Sequence, residues 1–171
     1  MDYKIPFNGL EDGNHQFKFT VDDKFFAAFE ESEITKGNLT VDIDLLKRST
    51  GLEVMFNIEG TVVSQCDRCL DDLDCNIEYK GKIFFEFGSH NEEVSDELVI
   101  LSSSEDELEL ENYIYEFINL SLPIKRVHSD DEEGNSLCNP EMLAKLNNVI
   151  VHNEDKKIDD PRWDKLRDLI N

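Results

Sequence analysis

Two neighbouring segments of alternating apolar and mostly polar residues constrain the fold more than any other feature of the chain. Apolar side chains occupy every second position from Leu39 to Leu45, and again from Leu52 to Ile58. A period of two is typical of a strand with one buried face, because successive side chains point to opposite sides of a sheet. Residues 47–51 form a short turn between the two segments, so the pattern predicts a long antiparallel hairpin.

Weaker patterns predict the elements that precede this hairpin. The first segment, closed by Gly9, and the alternation from His15 to Val21 predict an opening hairpin. Asp22 is typical of a helix N-cap and Gly37 of a helix end. We therefore expect a helix between these two residues.

The second half of the sequence changes from strand-like to helical spacing. Alternation over residues 77–87 and an apolar run over residues 98–101 predict two further strands. From Asp106 the apolar residues recur at helical spacing, and Pro123 ends this amphipathic helix.

The order of these elements predicts the fold class. Short C-terminal helices are expected after Asn139-Pro140 and after Asp160-Pro161. Strands gathered before helices predict an α+β fold, in which an antiparallel β-sheet with a long central hairpin packs with the amphipathic helix. We expect residues 1–125 to form this core domain, and residues 126–171 to form a metal loop and a C-terminal helical extension packed on it.

The chain is strongly acidic. It carries 39 Asp and Glu against 17 Lys and Arg, which gives a formal net charge of −22. This charge excludes a general phosphate-binding surface, so any contact with nucleic acid must be local or indirect. Residues 83–124 contain eleven acids and no Lys or Arg. This stretch is either a solvated face or an acidic docking surface for a basic partner, with Glu105, Asp106 and Glu107 as candidate contacts.

The sequence offers no membrane-spanning or targeting segment. No stretch approaches about 18 consecutive apolar residues, and the start lacks the charged head and apolar run of a signal peptide. We therefore expect a cytoplasmic protein without a membrane partner. Because the cytoplasm keeps thiols reduced, metal binding or redox chemistry is the first hypothesis for its four cysteines.

Cys66 and Cys69 form a CxxC pair directly after a predicted strand. A two-residue gap lets both thiolates face one ion, which is how half of a tetrahedral zinc site is usually built. Cys138 supplies a third sulfur, and His128 precedes it with only loop-like sequence between them. We therefore predict a structural Zn²⁺ site formed by Cys66, Cys69, His128 and Cys138, with Cys75 in reserve for one of them.

A redox role for the CxxC pair is the alternative. It requires a thiolate with a lowered pKa, which a helix N-terminus or cationic neighbours provide. Asp67, Asp71, Asp72 and Asp74 surround the motif, and Arg68 is the one cation among them. This local charge disfavours a free thiolate and favours Zn²⁺, while a pair of inert thiols also stays open.

The motifs of several large enzyme classes are missing. The sequence contains no GxxxxGK[ST], GxGxxG or HExxH, and no motif pairs the other histidines with a Ser or Cys nucleophile. Because acids are so numerous, no catalytic carboxylate pair stands out. We therefore predict that the protein is not an enzyme.

Several motifs together resemble one known family. The matching segments are Cys66-Asp67-Arg68-Cys69-Leu70, Leu122-Pro123-Ile124, His128, Cys138 and Asp160-Pro161-Arg162. On these residues the chain resembles the YceD family, the large ribosomal RNA accumulation proteins, in its Bacteroidetes-like form. The resemblance spans nearly the whole chain, and its C-x-R-C-L and L-P-x-x-x-V-H segments are the most specific.

The resemblance implies a role in 23S rRNA accumulation and large-subunit assembly. The family's Cys and His pattern falls on Cys66, Cys69, His128 and Cys138, and it supplies no catalytic residue. The chain departs from the pattern in two ways: Arg126 stands where a second proline is expected, and the loop that leads to Cys138 is longer.

We expect a non-catalytic ribosome biogenesis factor with a structural zinc site. It would contact a basic ribosomal protein or the pre-ribosomal large subunit, and would affect rRNA through that partner. The cationic candidates for partner contact are Arg68, Lys125 and Arg126. Two alternatives stay open, a thiol redox protein that uses the CxxC pair and a direct rRNA-binding protein that uses Lys47, Arg48, Lys125 and Arg126.

Overall fold

The computed structural model describes residues 3–30 and 32–149. The chain divides into two compact units, residues 1–138 and residues 139–171, while the predicted domain boundary at residue 125 stays a prediction. The second unit contains α3 (Pro140–Val149). The elements described in the first unit are β1 (Lys4–Pro6), β2 (Gly13–Val21), α1 (Asp23–Phe26), β3 (Lys36–Arg48), β4 (Gly51–Gln65), β5 (Asp72–Gly88), β6 (Glu92–Ser95), β7 (Leu98–Ser102), β8 (Glu107–Glu109) and α2 (Glu111–Leu120).

Within the described residues, six strands form one sheet in the order β2-β3-β4-β5-β7-β6. Neighbouring strands run antiparallel, except that β5 and β7 are parallel. β3 and β4 pair in one continuous register from Arg48 opposite Gly51 to Lys36 opposite Val63, which is the predicted long hairpin. The predicted α+β class with a mainly antiparallel sheet is confirmed.

The apolar face of this sheet shares one hydrophobic core with α1, α2 and the short β1–β8 pair. Phe56 of β4 and Tyr79 of β5 both contact Phe117 of α2, with ring centroids 5.0 and 4.4 Å apart. On the opposite face, Asp44 and Lys80 are exposed. The alternation in the sequence therefore separates a buried face from a polar face, as a half-buried strand requires.

The predicted opening hairpin is wrong, because β1 does not pair with β2. β1 pairs antiparallel with β8, which places Ile5 opposite Leu108, and both side chains are buried in the core. β2 instead pairs along its whole length with β3, from Gly13 to Val21. Burial of the single apolar residue of β1 thus decides its partner more strongly than closeness in sequence.

The helix after Asp22 is much shorter than predicted. The Asp22 carboxylate caps α1 as expected and accepts a hydrogen bond of 3.0 Å from the amide of Lys24. However, α1 is a single turn, and Gly37 lies inside β3 rather than at a helix end. A Cβ atom on Gly37 would collide with the ring of Phe26. The glycine is therefore needed for close packing against α1 and does not serve as a helix cap.

The two longer helices are both present as predicted, but α2 begins at Glu111 rather than near Asp106, because Glu107–Glu109 form β8 and bury Leu108 opposite Ile5. α2 ends at Leu120, just before Pro123, and α3 begins after Asn139, whose side-chain oxygen accepts a 3.0 Å hydrogen bond from the amide of Glu141. The helix predicted after Asp160-Pro161 lies outside the described residues. No helix in residues 3–30 and 32–149 is both long and apolar enough to cross a lipid bilayer.

Candidate metal centre

The CxxC pair lies in the turn that connects β4 to β5. The amide of Cys66 donates to the carbonyl of Asp71, and the amide of Leu70 donates to the carbonyl of Cys66, both at 2.9 Å. Leu70 closes this turn with a φ of 63°. A left-handed conformation costs a residue other than glycine about 1–2 kcal/mol, so the surrounding hydrogen bonds must hold the turn in this shape.

A segment that follows α2 is attached to this turn at Arg126. The amide of Asp67 donates to the carbonyl of Arg126, and the amide of Arg126 donates to the Asp67 carboxylate, both at 2.7 Å. The Arg126 guanidinium also contacts Glu33 at 2.7 Å, Ser64 at 3.1 Å and the Asp67 carboxylate at 3.4 Å. These contacts position His128, two residues further on.

The loop between His128 and Cys138 folds back on itself. Asp130 and Ser136 form an antiparallel bridge, and the amide of Leu137 donates to the carbonyl of Ser129 at 3.1 Å. The Arg68 side chain donates a 2.8 Å hydrogen bond to the Ser136 hydroxyl. This return path brings Cys138 back to the CxxC turn.

Four ligand atoms converge at this point. One atom each from Cys66, Cys69, His128 and Cys138 lies within 4.8 Å of every other in the group. The Sγ atoms of Cys66 and Cys138 are 3.8 Å apart, and Cys69 Sγ is 3.4 Å from His128 Nδ1. The three cysteines are at most 3% exposed. We call residues 66–71 and 126–138, which surround this cluster, the cysteine end.

Two separations within the cluster match those of a tetrahedral zinc site. Zinc–sulfur bonds of about 2.3 Å at tetrahedral angles place two sulfurs about 3.8 Å apart, and a zinc-bound nitrogen lies about 3.5 Å from each sulfur. In the structure the Cys66–Cys138 sulfur separation is 3.8 Å, and Cys69 Sγ lies 3.4 Å from His128 Nδ1. His128 Nε2 lies 3.1 Å from the carbonyl of Asp72. A neutral imidazole that donates through Nε2 presents the Nδ1 lone pair to the metal, as metal-ligating histidines usually do.

Hydrogen bonds to the Cys66 sulfur shift its protonation. Burial raises the pKa of the Cys66 thiol, but hydrogen bonds from the backbone amides of Cys69, Arg68 and His128 outweigh it and lower the pKa to about 6. The acidic neighbours in the sequence predicted a shift in the opposite direction, so the turn amides are the stronger influence.

The His128 side chain is shifted toward its protonated form. Burial lowers its pKa, but the hydrogen bonds to Cys66, to the backbone of Asp72 and to Cys69 outweigh burial and raise the pKa above 6.5. The shifts of Cys66 and His128 therefore both act toward the charged form of the side chain.

The family model described as Large ribosomal RNA subunit accumulation protein YceD matches residues 54–170. The chain belongs to the YceD family. The matched range begins within β4 and contains all four residues of the cluster. No curated protein and no solved structure matches the chain.

Cys75, the reserve ligand, lies outside the cluster of this YceD-family protein. Its side chain is 4% exposed in the hydrophobic core, where its Sγ lies 3.9 Å from the carbonyl of Leu73. Burial raises the pKa of the Cys75 thiol, and the charge of Asp74 adds to this effect against the opposing influence of Arg126. The position of Cys75 is that of a core residue rather than a fourth ligand.

The predicted cationic contacts of this YceD-family chain occupy different environments. Arg68 and Arg126 are both engaged within the cysteine end, by Ser136 and by the carboxylates of Glu33 and Asp67, whereas the Lys125 side chain is exposed. Hydrogen bonding to Glu33 and the charges of Glu33 and Asp67 raise the pKa of Arg126 despite its burial.

The predicted acidic contacts lie around β8, far along the chain from the cysteines. Glu105 accepts a 3.2 Å hydrogen bond from Asn91, Asp106 accepts one from Asn8, and Glu107 is exposed. Glu105 and Glu107 both line a groove between β6, β7, β8 and the start of α2.

Sequence reasoning missed the residues that assemble the cysteine end. Asp67, Ser64 and Glu33 fix Arg126, and Ser136 fixes Arg68. Asp67 entered the sequence argument only as a nearby negative charge. No local motif identifies these residues, because their partners are distant in sequence and meet only in the folded chain.

Proposed function

We propose that this YceD-family protein is a non-catalytic ribosome biogenesis factor that supports 23S rRNA accumulation and large-subunit assembly in the cytoplasm. The family match over residues 54–170 carries this proposal, because the family is described as a large ribosomal RNA subunit accumulation protein. The protein would act by contacting a basic ribosomal protein or the pre-ribosomal large subunit.

We further propose that Cys66, Cys69, His128 and Cys138 hold one structural Zn²⁺. Four protein ligands fill a tetrahedral shell and leave no position for substrate or water, which is typical of structural rather than catalytic zinc. The ion would connect the β4–β5 turn to the segment that follows α2. The measured sulfur–sulfur and sulfur–nitrogen separations of 3.8 and 3.4 Å support this assignment.

The charge distribution supports a basic protein partner over direct binding of rRNA. The net charge of −22 attracts a cationic partner and repels phosphate. Two of the candidate cations, Arg68 and Arg126, already contact groups of the chain itself. These two side chains are therefore less available for a direct phosphate contact, and an effect on rRNA through a protein partner fits the acidic charge better.

The metal content of the protein tests the zinc assignment. Protein purified without chelator is expected to contain about one zinc per chain by elemental analysis, and the Cys69→Ser variant none. Cys75→Ser is the matched control, because Cys75 lies outside the cluster, and it is expected to keep the metal. A metal-free parent protein with rapidly alkylated thiols would instead support the thiol redox alternative.

Sedimentation of cell extracts tests the ribosomal role. The tagged full-length protein is expected to co-sediment with particles that precede the mature large subunit, and its depletion is expected to lower 23S rRNA relative to 16S rRNA. Recovery of a basic ribosomal protein with the tagged chain after nuclease treatment would indicate a protein partner. Recovery of neither a ribosomal protein, a precursor particle nor 23S precursor would refute the role.

A further inference from the structure

A groove of about 470 Å³ lies between β6, β7, β8 and the start of α2. Buried apolar side chains, among them Val99, Leu101 and Leu108, form its floor. Tyr113 stands at one side, half-buried, with its ring 5.7 Å from that of Phe85. An apolar floor of this kind can accommodate the aliphatic part of a long side chain.

Six glutamates from separate elements converge on the rim of this groove. They come from β6, from the β7–β8 loop, from β8 and from α2, and they are Glu93, Glu105, Glu107, Glu109, Glu111 and Glu116. All six are exposed. Their convergence around one depression, whose lining includes buried apolar side chains, distinguishes them from an evenly solvated acidic face.

Within the part of the chain that the structure describes, little of this charge is neutralised. Among the described residues, the ion pair of Lys4 with Glu109 is the one that involves any of the six glutamates. No Lys or Arg occurs between Lys82 and Lys125. Burial raises the pKa of Tyr113, and the charges of Glu93 and Glu116 raise it further, so the negative field reaches into the groove.

We propose that this acidic groove docks an extended arginine-rich segment of the basic partner. The inference rests on the proposed function, and it adds the place of contact and the chemistry of the segment. A groove of about 470 Å³ is far larger than a metal ion needs, and its charge repels the phosphates of RNA. An arginine suits it better than a lysine, because a planar guanidinium can pair with two carboxylate oxygens and stack on the Tyr113 ring.

A synthetic probe tests the groove directly. The probe is a fluorescein-labelled octapeptide of alternating Gly and Arg, titrated with the full-length, metal-loaded protein and followed by fluorescence anisotropy. The groove variant carries Glu93→Gln, Glu107→Gln and Glu116→Gln. The control variant carries Glu11→Gln, Glu30→Gln and Glu78→Gln, three exposed acids that do not line the groove, so both variants have a net charge of −19 instead of −22.

The groove variant is expected to bind the probe at least tenfold more weakly than the parent protein, and the control variant less than twofold more weakly. The matching Gly-Lys peptide is expected to bind the parent at least threefold more weakly than the Gly-Arg peptide. Equal weakening in both variants would overturn the proposal, because the probe would then respond to overall charge alone. Absence of measurable binding to the parent at low salt would also overturn it.

Co-sedimentation of the same variants separates this inference from the proposed function. The groove variant is expected to lose association with precursor particles, and the control variant to keep it. The groove variant could bind the probe weakly and still co-sediment like the parent protein. The partner would then dock elsewhere, and only the groove inference would fail. If the parent binds the probe but never co-sediments, the ribosomal role fails while the chemistry of the groove stands.

Discussion

The sheet core and the cysteine end are stabilised by different interactions. In the core, apolar side chains from β3, β4 and β5 are buried against α2, and Phe56 is 0% exposed. The cysteine end is held by hydrogen bonds, ion pairs and the four converging ligand atoms. It leaves Leu70 and Leu137 58% and 60% exposed. Solvent exclusion can stabilise the first region, whereas the second depends on its polar contacts and on the ion that we propose for the cluster.

The largest expected effect comes from truncating the core. Phe56→Ala removes a fully buried ring that packs on Phe117, and we expect it to lower the free energy of unfolding by about 3–5 kcal/mol in urea denaturation. Met55→Ala is the control, because its side chain is on the opposite face and 48% exposed, and it is expected to cost less than about 0.5 kcal/mol. A similar loss in both variants would refute the distinction between the two faces.

Removal of the metal is expected to loosen the cysteine end and leave the core folded. Chelation should accelerate hydrogen exchange about 100-fold at the amides of Cys66, Asp67, Leu70 and Arg126, since their hydrogen bonds connect the segments that the ion holds. The central amides of β3 and β4 should change less than twofold. Cooperative unfolding of the whole chain on chelation would show that the sheet core also depends on the ion.

Loss of the Arg126 side chain is expected to weaken metal binding without abolishing it. Arg126→Ala removes the contacts with Glu33, Ser64 and Asp67 that position the segment before His128, so we expect about tenfold weaker zinc affinity in a competition assay with a chromophoric chelator. Lys125→Ala, at the exposed neighbouring position, should leave the affinity unchanged. Parent-like affinity in Arg126→Ala would mean that the ion and the backbone hydrogen bonds with Asp67 order the segment without the guanidinium.

The sequence predicted the sheet core well because its signal is periodic and local. The alternation from Leu39 to Ile58 specifies strands, burial and hairpin pairing together, and all three are observed. The pattern could not give the partner of β1, because its pairing with β8 spans about a hundred residues and depends on burial of Ile5 against Leu108. Pairings between distant segments are decided by the assembled core, which no local pattern contains.

At the cysteine end, the sequence supplied the ligand types but not their arrangement. The CxxC spacing identified one half of the cluster, and the reserve residue Cys75 lies outside it because its strand places it in the core. The predicted direction of the Cys66 pKa shift was wrong, because the shift depends on amide hydrogens that point at the sulfur only in the folded turn. Side-chain charges can be read from a sequence, whereas backbone dipoles take their direction from the conformation.

The smallest expected effect is the change in folding stability with pH that the titration of Cys66 causes in metal-free protein. This titration also tests the cysteine end most directly. The folded pKa of Cys66, about 6, lies below the usual thiol value of 9.0. The thiolate therefore stabilises the folded state above pH 9, and this contribution is lost as pH falls from 9 through 6. The raised pKa of His128 makes the folding stability change with pH in the opposite direction. Its contribution is present below pH 6.5 and is lost as pH rises through the folded pKa.

Thiolate absorbance near 240 nm measures this titration in the metal-free protein. A step with a midpoint near pH 6 is expected in the parent and in Cys75→Ser, and its absence in Cys66→Ser, because burial raises the pKa of Cys75 and removes it from this range. If the step persists in Cys66→Ser, another thiol carries the shift. If no step occurs below pH 8, the turn amides do not reach the sulfur without the ion. The cysteine end would then take up its folded geometry only when metal binds, unlike the sheet core, which folds by its own burial.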